Sequence, residues 1–159
     1  MQHKFLFIFF GIALFSITMA SAQKADMNAE KANVTLVVNE FTKIWETKDM
    51  NLLSKIVAHD SNMVNYGINA NLVFIGWDAL KDSIAKMWSV MEMKKMDVKN
   101  QVINVDPSGN VAWYSEICDM DLLYGGHPMQ ILNQRYTGVL EKRNGNWVIV
   151  QFHNSITCQ

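Results

Sequence analysis

The sequence predicts an α+β fold in which N-terminal helices pack on one face of a curved, mainly antiparallel sheet. Two observations carry this reading. Apolar residues recur at helical spacing in the first half of the chain, and from about Asp97 onward the period becomes that of strands separated by turn residues. Helices first and a strand meander afterwards is the order of an α+β layer, unlike the alternation of βα units.

Between about Asn28 and Thr47 the positions Val34, Val37, Val38, Phe41, Ile44 and Trp45 trace one face of an amphipathic helix. Asp49 is placed to cap a shorter second helix carrying Leu52, Leu53, Ile56 and Val57 and ending near His59. Asn62 to Tyr66 and Asn71 to Ile75 read as short strands around Gly67. Gly76-Trp77-Asp78 then opens a third helix with Leu80, Ile84, Met87, Trp88 and Met91 on its apolar face. The final four strands are expected over Asp97 to Val105, Val111 to Tyr124, Met129 to Lys142 and Trp147 to Ile156, each bounded by Gly, Pro, Asn or Asp clusters.

The first residues are set apart from the fold. Lys4 precedes an apolar run from Phe5 to Ile17, and Ala20-Ser21-Ala22 offers the small residues of a cleavage site. The run is too short to span a bilayer comfortably. Residues 1–22 therefore read as a signal peptide and residues 23–159 as one domain, with Gln23 the new N-terminus. This makes the mature chain an exported protein, periplasmic or secreted, with no membrane attachment after cleavage. The formal net charge of −1 gives no electrostatic case for nucleic acid or for an anionic membrane surface. An oxidising compartment would permit Cys118 and Cys158 to pair. A strand predicted between them separates them by two spacings of about 4.8 Å, which argues against a disulfide.

Four strings cover nearly all of the mature chain: "FTKIWETKDMNLLSKIVAHDSNMVNYG", "FIGWDALKDSIAKMW", "GNVAWYSE" and "RYTGVLEKRNGNWVIVQFHNS". In order and content they resemble the SnoaL-like branch of the nuclear transport factor 2-like superfamily. The resemblance implies a cone-shaped fold with a mostly apolar cavity, commonly dimeric, that hosts isomerases, cyclases, dehydratases, ligand binders and purely structural modules. Fold alone therefore says little about reaction. The C-terminal strings are also similar to the association domain of calcium/calmodulin-dependent protein kinases, which lines its cavity with arginines. Aligned on the final hairpin, Gly138 and Asn154 fall where two of those arginines would, and Ser115 or Ile117 near the third, so an anionic ligand site is not carried over.

Which side chains enter the cavity depends on hairpin register, because a slip of one residue exchanges the two faces. Arg143-Asn144-Gly145 suits a three-residue loop with Gly145 left-handed. Leu140, Gly138, Tyr136 and Gln134 would then share the inner face with Val148, Val150, Phe152 and Asn154. The opposite face would carry Arg135, Thr137, Trp147, Ile149, Gln151 and His153, a mixture suited to the sheet-to-sheet contact of a homodimer. If Asn144-Gly145 instead forms a two-residue type I′ turn, His153 lies across from Tyr136 and can enter the pocket. The first register is preferred, and within it the Tyr136 face is assigned to the helices and cavity because it is the more continuously apolar of the two faces.

On this reading a small, largely apolar molecule binds in the cone through Gln134, Tyr136 and Asn154. Trp113 and Ser115 are turned inward by the kinase-domain comparison, and Tyr66 and Trp88 are placed to close the mouth. The alternative is a cofactor-independent isomerase or dehydratase with His153 or Asp119 as base. A third possibility is a dimeric interaction module without a ligand. Glu116, Asp119 and Asp121 recur on one strand, but Glu116 points opposite to the two aspartates, and acids near a strand's end are usually solvated. His59-Asp60 lacks the helical His-x-x-x-His or Cys cluster of a metal site, so neither a metal nor a cofactor is expected. The eleven methionines read first as core fillers, although a thioether lining also suits a permissive apolar pocket.

Overall fold

A computed structural model describes residues 26–156; the expected leader and Cys158 lie outside the described residues. Three helices, α1 (Met27–Thr47), α2 (Met50–Ile56) and α3 (Trp77–Val90), pack on a sheet of six strands. The strands are β1 (Val64–Tyr66), β2 (Val73–Ile75), β3 (Met91–Val105), β4 (Val111–Tyr124), β5 (His127–Arg143) and β6 (Asn146–Ser155). Their spatial order is β2-β1-β6-β5-β4-β3. Among the described strands, β1 and β6 pair in parallel and the other neighbours are antiparallel, so the sheet is mixed but mainly antiparallel, as the sequence predicts.

Both N-terminal helices begin at an aspartate whose carboxylate satisfies otherwise orphaned amides. Asp26 accepts from the Asn28 and Ala29 N–H groups, and Asp49 accepts from those of Asn51 and Leu52. Between the helices Lys48 adopts a left-handed conformation, returns its N–H to the Ile44 carbonyl, and extends its Nζ to the Trp88 carbonyl 2.6 Å away. One side chain thereby ties the α1–α2 corner to the end of α3.

The apolar face of α1 lies in the concave side of the sheet. Phe41 meets Phe152 edge-on with ring centroids 4.8 Å apart, and Trp45 meets Trp88 at 6.4 Å. Aromatic pairs of this geometry contribute about 0.5–1.5 kcal/mol beyond the area they bury. The start of α1 is fastened by Glu30, which accepts from Lys142 Nζ at 2.5 Å and from Trp147 Nε1 at 2.9 Å. That contact joins the first helix to the last hairpin.

Irregularities bend the sheet around the helices. Register shifts occur in β3 between Met93 and Lys95 and between Lys99 and Val102, in the β4–β5 pairing after Cys118, and in the β5–β6 pairing between Val139 and Leu140. Each extra residue bends its strand and raises local twist. Two expectations change here. β3 starts at Met91 directly after α3, whereas the sequence suggests Asp97, because Met91 fits both the last helical turn and the first inward strand position. The final hairpin closes as a two-residue loop: Arg143 pairs with Asn146, and Asn144 (φ 51°) and Gly145 (φ 82°) are both left-handed, as a type I′ turn requires.

That turn does not bring His153 inside. From Leu140↔Ile149 the pairing resumes at Val139↔Gln151, so Val150 is the extra residue of a bulge. The bulge makes Trp147 and Ile149 inward before it and Phe152 and Asn154 inward after it. Trp147 and Ile149, expected on the dimer face, are thus buried under the helices, while Thr137 and His153 stand opposite each other on the outer face.

Candidate functional site

Between the helices and the inner face of the sheet lies a cavity of about 130 Å³, lined mainly by apolar side chains. Its floor follows from strand alternation. On β5 the inward positions are Gln134, Tyr136, Gly138 and Leu140; on β6 the bulge adds Phe152 and Asn154. Of these, Gln134, Tyr136, Phe152 and Asn154 line the cavity. Tyr136 and Asn154 are direct cross-strand partners. Burial pushes the Tyr136 phenol up, and a hydrogen bond with Asn154 opposes that shift, so the hydroxyl remains protonated.

The roof and sides come from other elements. Trp45 of α1, Ile84 and Met87 of α3, and Asn65 and Phe74 of the short strands reach the same space. Asn65 is buried and donates from Nδ2 to the Phe152 carbonyl at 3.3 Å, which fixes β1 beside β6. Met91 and Met93 of β3 and Met120 of β4 join Met87 in the lining. The methionines there are cavity lining as well as core, a stronger role than the sequence suggests.

Two polar atoms of this lining stand out energetically. Gln134 is 2% exposed, and its Oε1 has no hydrogen-bond partner among the described residues. An unsatisfied buried acceptor costs about 1–3 kcal/mol, and a ligand donor that pairs with it recovers part of that cost as affinity. The Trp45 Nε1 donor is in the same condition.

Several predicted site residues lie elsewhere. Trp113, 47% exposed, and Ser115 project from the outer face, because the inward parity on β4 belongs to Ala112, Tyr114, Glu116, Cys118, Met120 and Leu122. Tyr66, 48% exposed, also faces outward and meets His153 edge-on at 6.5 Å. Trp88 is buried behind Trp45 and does not close a mouth. Asp119 pairs with Lys99 and accepts the Asn133 N–H at 2.9 Å, holding Asn133 in a left-handed conformation at the β4–β5 bulge. These two contacts keep its carboxyl below the usual range, the backbone N–H contributing most. Neither candidate base, His153 nor Asp119, reaches the cavity.

Glu116 is the acid whose environment differs most from expectation. It is 4% exposed, beneath α1, where Gln101 Nε2 donates to it at 2.9 Å. Burial raises its pKa, with hydrogen bonds from Gln101, Cys118 and Thr42 opposing. The neighbouring Cys118 thiol is pushed up to about 12, chiefly by burial and then by Glu116, which leaves it inert as a nucleophile. The outer face carries a broad recess of about 450 Å³ bordered by Tyr66, Val73, Thr137, Gln151 and His153. Arg135 is exposed on the same face.

Residues 34–159 match the SnoaL-like domain family. No curated protein matches the chain. Among solved structures, a nuclear transport factor 2-like superfamily protein from Salmonella enterica superposes with a TM-score of 0.69 at 18% identity, covering 83% of this chain and 94% of that one. A ketosteroid isomerase-like protein from Erwinia carotovora atroseptica gives 0.67 at 14% identity, covering 83% and 99%. A DUF3225-family protein of unknown function from Pectobacterium atrosepticum gives 0.64 at 20% identity, covering 82% and 92%. At these identities the likeness establishes the cone fold.

Proposed function

The chain belongs to the SnoaL-like family of the nuclear transport factor 2-like superfamily, and we propose that it uses the shared cone to bind a small, largely apolar molecule. The observation that carries this reading is the cavity lining: apolar walls interrupted by a few uncharged polar groups, of which Gln134 Oε1 is buried and unpaired among the described residues. Pockets of this composition gain affinity from apolar burial and orientation from the sparse polar groups. No carboxylate, imidazole or ammonium lines the cavity among the described residues. Proton transfer by a lining base, the chemistry of the enzyme alternative, has no acceptor of suitable basicity there, so binding is the better-supported function.

The test is native mass spectrometry of protein purified gently from the cells that make it, followed by denaturing identification of anything released. A stoichiometric small molecule on the wild type, absent from a Ser83→Trp variant that fills the α3 side of the cavity, is the expected result. If neither protein carries an adduct and no fragment from an apolar library raises the wild-type melting temperature, the binding reading fails.

The outer face suits a symmetric pairing of two copies. Trp113, Val111 and Val102 give it exposed apolar area, and Arg135, Thr137, Gln151 and His153 give it a polar portion. Trp113→Lys should convert a dimer to a monomer by light scattering; an unchanged mass would exclude this face. Export through the leader at residues 1–22 predicts a secreted or periplasmic protein whose N-terminal sequence begins at Gln23.

A further inference from the structure

We propose that the preferred ligand is an uncharged, single-ring aromatic molecule bearing one O–H or N–H donor, which Gln134 Oε1 accepts. The inference rests on the cavity-binding function above and narrows it to a chemical class.

Three features of the site select this chemistry. The first is charge. A charged ligand would lose its hydration without gaining a counter-ion, because no ionised side chain lines the cavity among the described residues. Carboxylates, phosphates and ammonium compounds are therefore rejected by desolvation.

The second is the pair of walls. The sheet order places β3 and β4 at one side of the cavity and β6, β1 and β2 at the other. Met91, Met93 and Met120 line it from the first side, and Phe152 and Phe74 from the second. Thioether sulfur makes favourable contacts with ring edges, and aromatic side chains favour offset or edge-on contact with another ring. A flat ring engages both walls, whereas a saturated ring of similar size forfeits the sulfur and quadrupole contacts. The small cavity volume limits the ligand to a compact molecule.

The third is the unpaired acceptor. Gln134 sits on β5 between the two walls, 2% exposed, and its Oε1 has no partner among the described residues. A ligand hydroxyl or N–H directed at this atom satisfies it; a methyl group in the same place leaves it unpaired. Discrimination between a substrate with the donor and one without it is strongest when the protein's own polar group would otherwise stay unsatisfied.

The test uses four probes of similar size: phenol, toluene, cyclohexanol and benzoate, titrated calorimetrically against the wild type and Gln134→Leu at neutral pH. Phenol should bind the wild type about tenfold more tightly than toluene and more tightly than cyclohexanol, and benzoate should not bind. In Gln134→Leu the advantage of phenol over toluene should disappear while toluene binding persists, which also shows the variant folded. If that variant does not fold, the wild-type ratio of phenol to toluene alone decides. Equal binding of phenol and toluene to the wild type overturns the donor assignment but leaves cavity binding intact. Binding of benzoate as tight as phenol overturns the uncharged class. Failure of all four probes overturns this inference, and the library screen described above separates that result from failure of cavity binding in general.

Discussion

The ring of Tyr114 lies against Gly138 so closely that a Cβ added to the glycine would stand 2.5 Å from Tyr114 Cε1 and 2.8 Å from the Gln151 carbonyl oxygen. The two residues are cross-strand partners on the inner face, where Tyr114 is among the largest fully buried side chains. A missing side chain on β5 is therefore what seats an aromatic ring of β4 in the floor of the cone.

From this contact, Gly138→Ala should destabilise the protein by about 1–3 kcal/mol through overpacking, measured by urea denaturation. The backbone oxygen cannot withdraw as a flexible side chain could. Tyr114→Leu in the same background should recover part of the loss, since it removes one of the two clashes. A Gly138→Ala variant as stable as the wild type would show that the ring has room to move.

Glu30 gives a second, pH-dependent prediction. Hydrogen bonds from Lys142 and then Trp147 hold its carboxyl below the ordinary carboxylate range. A depressed folded-state pKa contributes stability that is present above the unfolded value of about 4.3 and is lost as pH falls through the folded value. The melting temperature of the wild type should therefore fall on acidification below about pH 4.3 more steeply than that of Glu30→Gln. Glu30→Ala should cost about 1–3 kcal/mol at neutral pH, because the Trp147 Nε1 donor is left buried without a partner. Parallel acid profiles for wild type and Glu30→Gln would remove Glu30 from the account.

Glu116 should behave with the opposite sign. Burial raises its pKa, so the folded state holds the proton more tightly than the unfolded chain, and stability falls as pH rises from the unfolded value toward the folded one. Glu116→Gln removes the ionisation while keeping the shape and an acceptor for Gln101. The variant should melt at a higher temperature than the wild type at pH 7, and the difference should shrink to nothing near pH 4. A variant less stable at pH 7 would mean that the carboxylate is better served by its neighbours than its burial implies.

How far the sequence discloses this fold can be judged residue by residue. The α1 stripe from Val34 to Trp45 and the Asp49 cap are legible because helical period and capping chemistry are local. The strand parity of β4 is not, since Trp113 and Tyr114 are both amphipathic and only packing decides which turns inward. Glu116 follows the inward parity set by Ala112, Tyr114, Cys118, Met120 and Leu122, a pattern that outweighed the usual preference of an acid for water. On β5, simple alternation identifies Gln134 and Tyr136 as inward. On β6 it places Phe152 and Asn154 correctly but misplaces Trp147 and Ile149, because no local signal marks Val150 as an extra residue.

That bulge leads to the last prediction. Val150 and Gln151 together occupy the space between inward Ile149 and inward Phe152, where a regular strand would use one residue. Deleting Val150 should regularise the ladder while leaving Ile149, Phe152 and Asn154 on the inner face. The deletion variant should therefore fold, with β6 straighter and the cavity reshaped, so probe binding should weaken more than stability. Deleting Thr137 from the neighbouring, regular part of β5 should have a different result. It would turn either Tyr136 and Gln134 or Gly138 and Leu140 to the outer face, and the chain should fail to fold. Circular dichroism and thermal melts of the two deletions decide the matter: if removal of Val150 is as damaging as removal of Thr137, the bulge supplies the stability of the final hairpin and not only its curvature.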